Sequence, residues 1–305
     1  LYLTCIEGLA GAYAPIVRRT QLTGSDALTA LTALLHRARR AHPTWGVWEA
    51  ADLHWWWRFD QRHDPLDCTV WFDTDSQPVL AVTAVHFHDG MLADIIRLPS
   101  APIPDEAISV GRDLVARHRD RHIDWSCPTD DSALIDAYLA IGAEPIDERM
   151  IETWIGAGDL PPVPECPDGY ALRTRAESDP ASEHYMVPRT GPDVERRLRE
   201  SPLYRADLDL WVSADDGSPA GYALFWADLD THVGLVEPMR VHDAHQRRGL
   251  ARLLLIAGAH RLADSGCTRI KVSYLDDNPA AKRTYLGGGF QPTATIQTYR
   301  SAAAG

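Results

Sequence analysis

Apolar residues recur along the chain with two periods, one strand-like and one helical, and the blocks come in the same order twice. Residues 15–18 read as a strand, and from 27 to 40 apolar residues fall at helical spacing behind Ser25 and Asp26, which read as the helix cap. A second helix carries Trp55, Trp56 and Trp57. Three successive tryptophans cannot face one way on a helix, so at least one is expected in the core and another where two larger units meet. Strands follow at 68–73, 79–86 and 92–98, then a helix from 104 to about 121, a strand at 123–126 and a helix at 132–141 closed by Gly142. Towards the C-terminus a strand is predicted over 235–241, a long apolar helix from 250 to about 265 closed by Gly266, and a β-branched strand at 270–273.

The recurrence is specific to residues. Trp71 and Pro78 match Trp211 and Pro219, residues 94–98 match 237–241, Ile123 and Ser126 match Ile270 and Ser273, and Asp131, Tyr138 and Gly142 match Asn278, Tyr285 and Gly289. The offset between partners drifts slowly upward, as small loop insertions produce. The chain therefore reads as two copies of one α/β fold, each a mixed sheet flanked by helices. The first copy is placed at 1–156 and the second at 169–305. Residues 157–168, with Pro161, Pro162, Pro164 and Pro167, are the linker.

Composition narrows the class. With 305 residues, 45% hydrophobic and 24% charged, the chain is long enough for two globular domains. No apolar run approaches the ~18 residues that span a bilayer, and residues 1–4 do not open a signal peptide, so a cytoplasmic protein without membrane contact is expected. Five scattered cysteines form neither a disulfide framework nor a zinc pattern. A net charge of −13 argues against nucleic acid and suits a cationic or amine-bearing substrate. His86 and His88 share a strand face but lack a third ligand of matching type, so no metal is expected. Oligomeric state is not legible.

Chemistry concentrates in the second copy. Gln246, Arg247, Arg248, Gly249, Leu250 and Ala251 stand between a strand and a long apolar helix. A glycine turn there lets backbone approach an anion, and the helix start offers unpaired N–H groups and a positive dipole end. Arg247, Arg248 and Arg252 add charge. Further on, Asn278, Ala281, Tyr285, Gly289 and Phe290 keep a fixed spacing that chance gives in on the order of 10⁻⁴ of chains this long. The two motifs, in this order and with a strand between them, resemble the GCN5-related N-acetyltransferases over about 169–300.

The resemblance implies acetyl-coenzyme A as cofactor, acyl transfer to a primary amine, and a role for each matched residue. The strand ahead of the glycine loop would splay at a bulge, with Met239, Arg240 and Val241 presenting backbone to the pantetheine arm and an N–H near Met239 facing the developing oxyanion. Pro238 suits such a bulge. Residues 246–252 would hold the pyrophosphate. Asn278 would bond the arm, cap the helix ahead of Pro279, or both. Tyr285 is the candidate acid for the departing thiolate, against simple packing, and Glu237 the candidate base, against simply orienting the ammonium. Asp228, Asp230 and His232 are lesser candidates for the base, and residues 184–186 are expected to line the acceptor site. The first copy has no glycine loop and sets Pro102, Pro104, Asp105 and Glu106 there, so it is expected to lack the cofactor.

Tandem chains of this length with one degenerate copy resemble the mycothiol synthases of actinobacteria, and antibiotic-modifying acetyltransferases as well. The acceptor is expected to be a small molecule: an amino sugar, an antibiotic or a mycothiol-precursor-like amine. The alternative is a non-catalytic sensor that binds coenzyme A and uses its first copy for protein contact.

Overall fold

A computed structural model describes residues 15–57, 67–87, 90–179 and 181–301. Cys5 and His88 lie outside them. The N-terminal half runs β1 (Ile16–Leu22), α1 (Gly24–Ala41), α2 (Ala50–Trp56), β2 (Asp67–Asp73), β3 (Pro78–Phe87), β4 (Gly90–Arg97), α3 (Asp105–Arg117), β5 (Ile123–Pro128), α4 (Ser132–Ile141) and β6 (Glu144–Gly156). The C-terminal half repeats that order. It runs β7 (Tyr170–Thr174), α5 (Val187–Thr190), α6 (Val194–Arg199), β8 (Asp209–Ala214), β9 (Pro219–Asp228), β10 (Val233–Val241), α7 (Leu250–Asp264), β11 (Arg269–Leu275), α8 (Pro279–Gly287) and β12 (Gln291–Ser301).

Two predicted helix ends move. α1 starts one residue ahead of Ser25, with Thr23 at the N-cap and no side-chain cap bond, so Asp26 sits inside the first turn where a carboxylate suits the helix dipole. α3 stops at Arg117 because His118 leaves helical geometry (φ −110, ψ 42). Gly142 closes α4 in the left-handed conformation (φ 96) that glycine favours.

All strands of the described residues join one twelve-stranded sheet, in the order β1-β2-β3-β4-β5-β12-β6-β11-β10-β9-β8-β7. The halves exchange their last strands. β12 lies antiparallel between β5 and β6, and β6 lies antiparallel between β12 and β11. Each half's sixth strand is thus separated from its own fifth strand by the sixth strand of the other half. The exchange leaves no unpaired edge in the middle of the sheet, where main-chain donors would otherwise need partners.

The core also crosses between halves. Phe225, Leu254, Leu255, Ile256 and Phe290 pack under α7 on one face of the C-terminal sheet. On the other face Tyr222, Leu224, Trp226 and Leu235 belong to the same cluster as Leu53, Trp55 and Trp56 of α2. β9 is therefore buried over nearly its whole length, which accounts for its almost unbroken apolar sequence. Trp57, just past α2, donates its Nε1–H to Glu200 at 3.1 Å and lies under the Arg197 guanidinium, so it meets the other half as its position in the tryptophan run suggested.

Candidate active site

In both halves the fourth and fifth strands run parallel for three residue pairs and then part. β10 and β11 pair from Val233 with Arg269 to Leu235 with Lys271, and β4 and β5 from Met91 with Ile123 to Ala93 with Trp125. Beyond those pairs a wedge opens in the sheet. In the C-terminal half the register between β10 and β9 jumps from Val236 opposite Phe225 to Met239 opposite Ala223, a bulge of one extra residue at Glu237 and Pro238. The β3–β4 ladder runs from Leu80–Arg97 to Phe87–Gly90 without a break.

Past the bulge the chain reaches the loop at 246–249. Gly249 is the N-cap of α7 with φ 83, and Arg247 also adopts left-handed backbone (φ 60). Left-handed backbone at a non-glycine residue is strained, and such strain collects at ligand sites. A Cβ built on Gly249 meets nothing within 4 Å, so the space above the helix start is clear. Gln246 Nε2 donates to Asp243 Oδ1 at 3.0 Å, which ties the loop to the preceding turn. Arg240, Arg247, Arg248 and Arg252 are exposed, and none pairs with a carboxylate of the described residues. Leu250 is buried and Ala251 half-buried, as first-turn residues that seat α7 on the sheet. Met239 and Val241 are half-buried along the wedge.

Asn278 Oδ1 accepts the Ala281 N–H at 3.0 Å and so caps α8, which turns Tyr285 towards the sheet. Tyr285 is 7% exposed, with the Tyr274 ring 6.1 Å away. Burial pushes its phenol well above the ordinary value, and the charge of Glu237 adds to the rise. Glu237 is half-buried at the bulge, and its carbonyl oxygen accepts the Trp226 Nε1–H at 2.7 Å. Glu237 and Tyr285 lie near enough for the one charge to act on the other, Met239 lies on the bulged β10, residues 246–252 open α7 and Asn278 opens α8.

Other expectations land elsewhere. His184 and Met186 are core residues at 2% and 1% exposure; His184 Nε2 lies 3.0 Å from Asp209, so the pair braces β8 and lines no cleft. Asp228 and Asp230 face α1 of the other half. His36 Nε2 is 2.9 Å from Asp228, His36 Nδ1 is 3.6 Å from Asp230, and Arg40 is 3.6 Å from Asp230. His36, Asp228 and Asp230 could surround a cation, but mutual pairing already accounts for them. His232 lies 3.1 Å from the Gly266 carbonyl and His86 3.2 Å from Arg121.

Residues that sequence reading did not single out form a buried charge cluster around β11. Lys271, on β11 and 2% exposed, donates to Val47 O at 2.6 Å and lies 3.2 Å from Glu49 and 2.7 Å from Glu152. Glu49 also binds Arg39, and it forms a reciprocal cap with Asp52 at the start of α2. Burial pushes the Asp52 carboxyl up to about 7; Lys271 opposes that rise, while Glu49 and Glu237 reinforce it. Two signals were available. Glu49 and Asp52 carry the spacing of a capping box, and a lysine between Ile270 and Val272 marks a strand whose second face is polar.

Residues 173–290 match the acetyltransferase (GNAT) family model. The C-terminal half is a GNAT acetyltransferase domain. The chain is 28% identical over 253 residues to a mycothiol acetyltransferase of Mycobacterium marinum, covering 73% of this chain and 78% of that one. It is 31% identical over 156 residues to a mycothiol acetyltransferase of Nocardia farcinica, over 46% of this chain and about half (52%) of that relative's length. A solved tandem GNAT protein from the clavulanic acid biosynthesis pathway superimposes with a TM-score of 0.67 over 94% of this chain and 99% of its own, at 18% identity. That superposition extends the GNAT fold to both halves. No helix among the described residues is long and apolar enough to cross a membrane.

Proposed function

We propose that the chain transfers an acetyl group from acetyl-coenzyme A to a primary amine of a small molecule, at the wedge of its GNAT domain. The observation that carries this reading is a coincidence found in one half and missing from the other. A bulged β10, an open wedge and a left-handed glycine at a helix start stand together with four arginines that pair with no carboxylate of the described residues. The donor set fits a pyrophosphate and an amide-rich arm: Arg247, Arg248 and Arg252 beside the α7 N-terminus, with Met239, Arg240 and Val241 backbone along the wedge. In this reading residues 1–156 have lost the cofactor, 157–168 link the halves, and 169–305 carry the site.

Bound acetyl-coenzyme A supplies an activated acyl group on sulfur. Glu237, through water or directly, takes a proton from the acceptor ammonium and frees its lone pair. The backbone N–H near Met239 would serve as the donor to the acyl carbonyl oxygen. Tyr285, which burial keeps protonated, would offer its hydroxyl to the departing sulfur, while Asn278 keeps α8, and hence Tyr285, in place.

The first copy walls the acceptor side of the wedge through α2, which favours a bounded small molecule over an extended peptide. The relatives named mycothiol acetyltransferase support an amino-sugar-bearing amine within that class. Thiol release from acetyl-coenzyme A is the test, measured with amino sugars, cysteinyl amino-sugar conjugates, aminoglycosides, polyamines and basic peptides. Release with one or more small amines is expected. Release with peptides alone overturns the substrate class, and tight cofactor binding with no release by any amine leaves the sensor as the better account.

A further inference from the structure

The bulge in β10 leaves one main-chain acceptor to account for. Where the register jumps between Val236 and Met239, Glu237 and Pro238 drop out of the ladder with β9. The peptide that joins them has no N–H, because its nitrogen belongs to Pro238, so its one polar group is the Glu237 carbonyl. That carbonyl accepts the Trp226 Nε1–H at 2.7 Å. Trp226 is fully buried on β9, in the cluster that holds Leu53, Trp55 and Trp56, so the carbonyl is drawn to the face of the sheet on which α2 packs. The indole is itself braced. The Tyr204 ring stands edge-on 6.5 Å away, and Tyr204 donates its hydroxyl to Asp209 at 2.8 Å.

The N-terminal half lacks both parts of this arrangement. β3 and β9 are each ten residues long and open on Pro78 and Pro219, so Val85 stands where Trp226 does. Val85 pairs with Leu92 as Trp226 pairs with Leu235, but a valine has no donor, and there the ladder with β4 runs on without a bulge. Donor and bulge occur together in one half and are missing together from the other.

We infer that Trp226 is a positioning residue of the acyl site, whose indole N–H holds the Glu237 carbonyl on the α2 face and thereby fixes the backbone that leads into Met239. This rests on the acyltransfer reading above. Without that bond the carbonyl is left in a buried strand with no donor, and turning the peptide to find one carries the Met239 N–H off the acyl oxygen. The N-terminal half then serves the site through packing, since α2 covers the indole that shapes the bulge.

Replacing Trp226 alone by benzothienylalanine, which keeps the shape of the ring and puts sulfur in place of the N–H, separates the bond from the packing. This isosteric variant is expected to lower kcat about tenfold or more and to leave the acetyl-coenzyme A Kd within about threefold, because the pyrophosphate end is held at 246–252. Trp226→Phe should lose at least as much. A packing role alone predicts full kcat in the isosteric variant and loss only in Trp226→Phe. In the wild type with isotopically labelled indole nitrogens, bound acetyl-coenzyme A should shift the Trp226 resonance and leave in place that of Trp125, whose N–H is on Ser301 in the other half's part of the sheet. That measurement stands even if the variants do not fold. Wild-type kcat in the isosteric variant, or a Trp226 resonance unmoved by the cofactor, overturns this inference alone. Absence of thiol release from the wild type with every amine overturns the acyltransfer reading, and this inference with it.

Discussion

Arg97 and Arg240 occupy matched positions on the fourth strand of each half, and their side chains do opposite things. Arg97 turns inward. It donates to Pro99 O at 2.9 Å and Ala101 O at 3.2 Å, makes a two-pronged bond to Asp131 at 2.9 and 2.8 Å, and lies 4.9 Å from the Trp45 ring. Arg240 is exposed and pairs with no carboxylate of the described residues. The rest of each wedge follows suit. Asp131 and Asn278 both cap their helices, but Asp131 is buried on Arg97 while Asn278 faces solvent. Tyr138, matched to Tyr285, bonds Asp94 at 3.3 Å, and Trp48 closes on Asp94 at 2.7 Å, leaving a cavity of about 30 Å³. The first wedge has become a core in which Arg97, Asp131, Tyr138, Asp94 and Trp48 bond within the protein, although Arg97 Nε is left without a partner among the described residues. A ligand site differs from a core mainly in having donors and strained backbone left without internal partners.

The largest expected effect breaks the second wedge. Gly249→Val places a β-branched residue at φ 83, a strain of roughly 1–2 kcal/mol, and fills the clear space above the helix start. Acetyl-coenzyme A affinity should fall on the order of 100-fold or more, measured by calorimetry, with the wild type binding once per chain. Two sites per chain would abolish the contrast between halves.

A paired substitution sharpens it. Tyr285→Phe should lower kcat about 100-fold or more with cofactor Kd nearly unchanged, because the hydroxyl acts on the leaving sulfur. Tyr138→Phe should leave kcat alone and cost about 1–2 kcal/mol in urea unfolding, since it removes a buried donor from Asp94. If Tyr285→Phe behaves like Tyr138→Phe, Tyr285 is a packing residue.

The smallest effect concerns Asp94, the counterpart of Glu237. Burial pushes its carboxyl up from 3.8 to about 8, against the Ser126 N–H, Trp48 and Tyr138 donors. The folded state therefore binds a proton that the unfolded state gives up. The stability this contributes is complete below about pH 4 and is lost as pH rises towards 8. Asp94→Asn should remove that slope, so between pH 5 and 8 the wild type loses up to a few kcal/mol relative to the variant in urea titrations. Parallel pH curves for the two proteins would show that Asp94 is already ionised and held by its three donors.

Local chemistry made much of this legible from the sequence alone. Glycine at a left-handed helix start, asparagine ahead of proline at a helix cap, and proline at a bulge each have one cheap conformation, so Gly249, Asn278 and Pro238 mark their places without knowledge of the fold. Recurrence of matched residues at a drifting offset gave the doubled architecture for the same reason. What tertiary structure alone decided is which faces and edges meet. A strand's alternation separates its two faces but does not say what covers either, so the sequence places Arg269, Lys271 and Ser273 on one face without saying what meets it. In the protein α1, α2 and β6 close over Lys271, and residues as far apart as Glu49, Glu152 and Lys271 become one buried charge cluster. The exchange of β6 and β12 is of the same kind, because backbone hydrogen bonds fit either edge equally well and only packing of the two halves selects one.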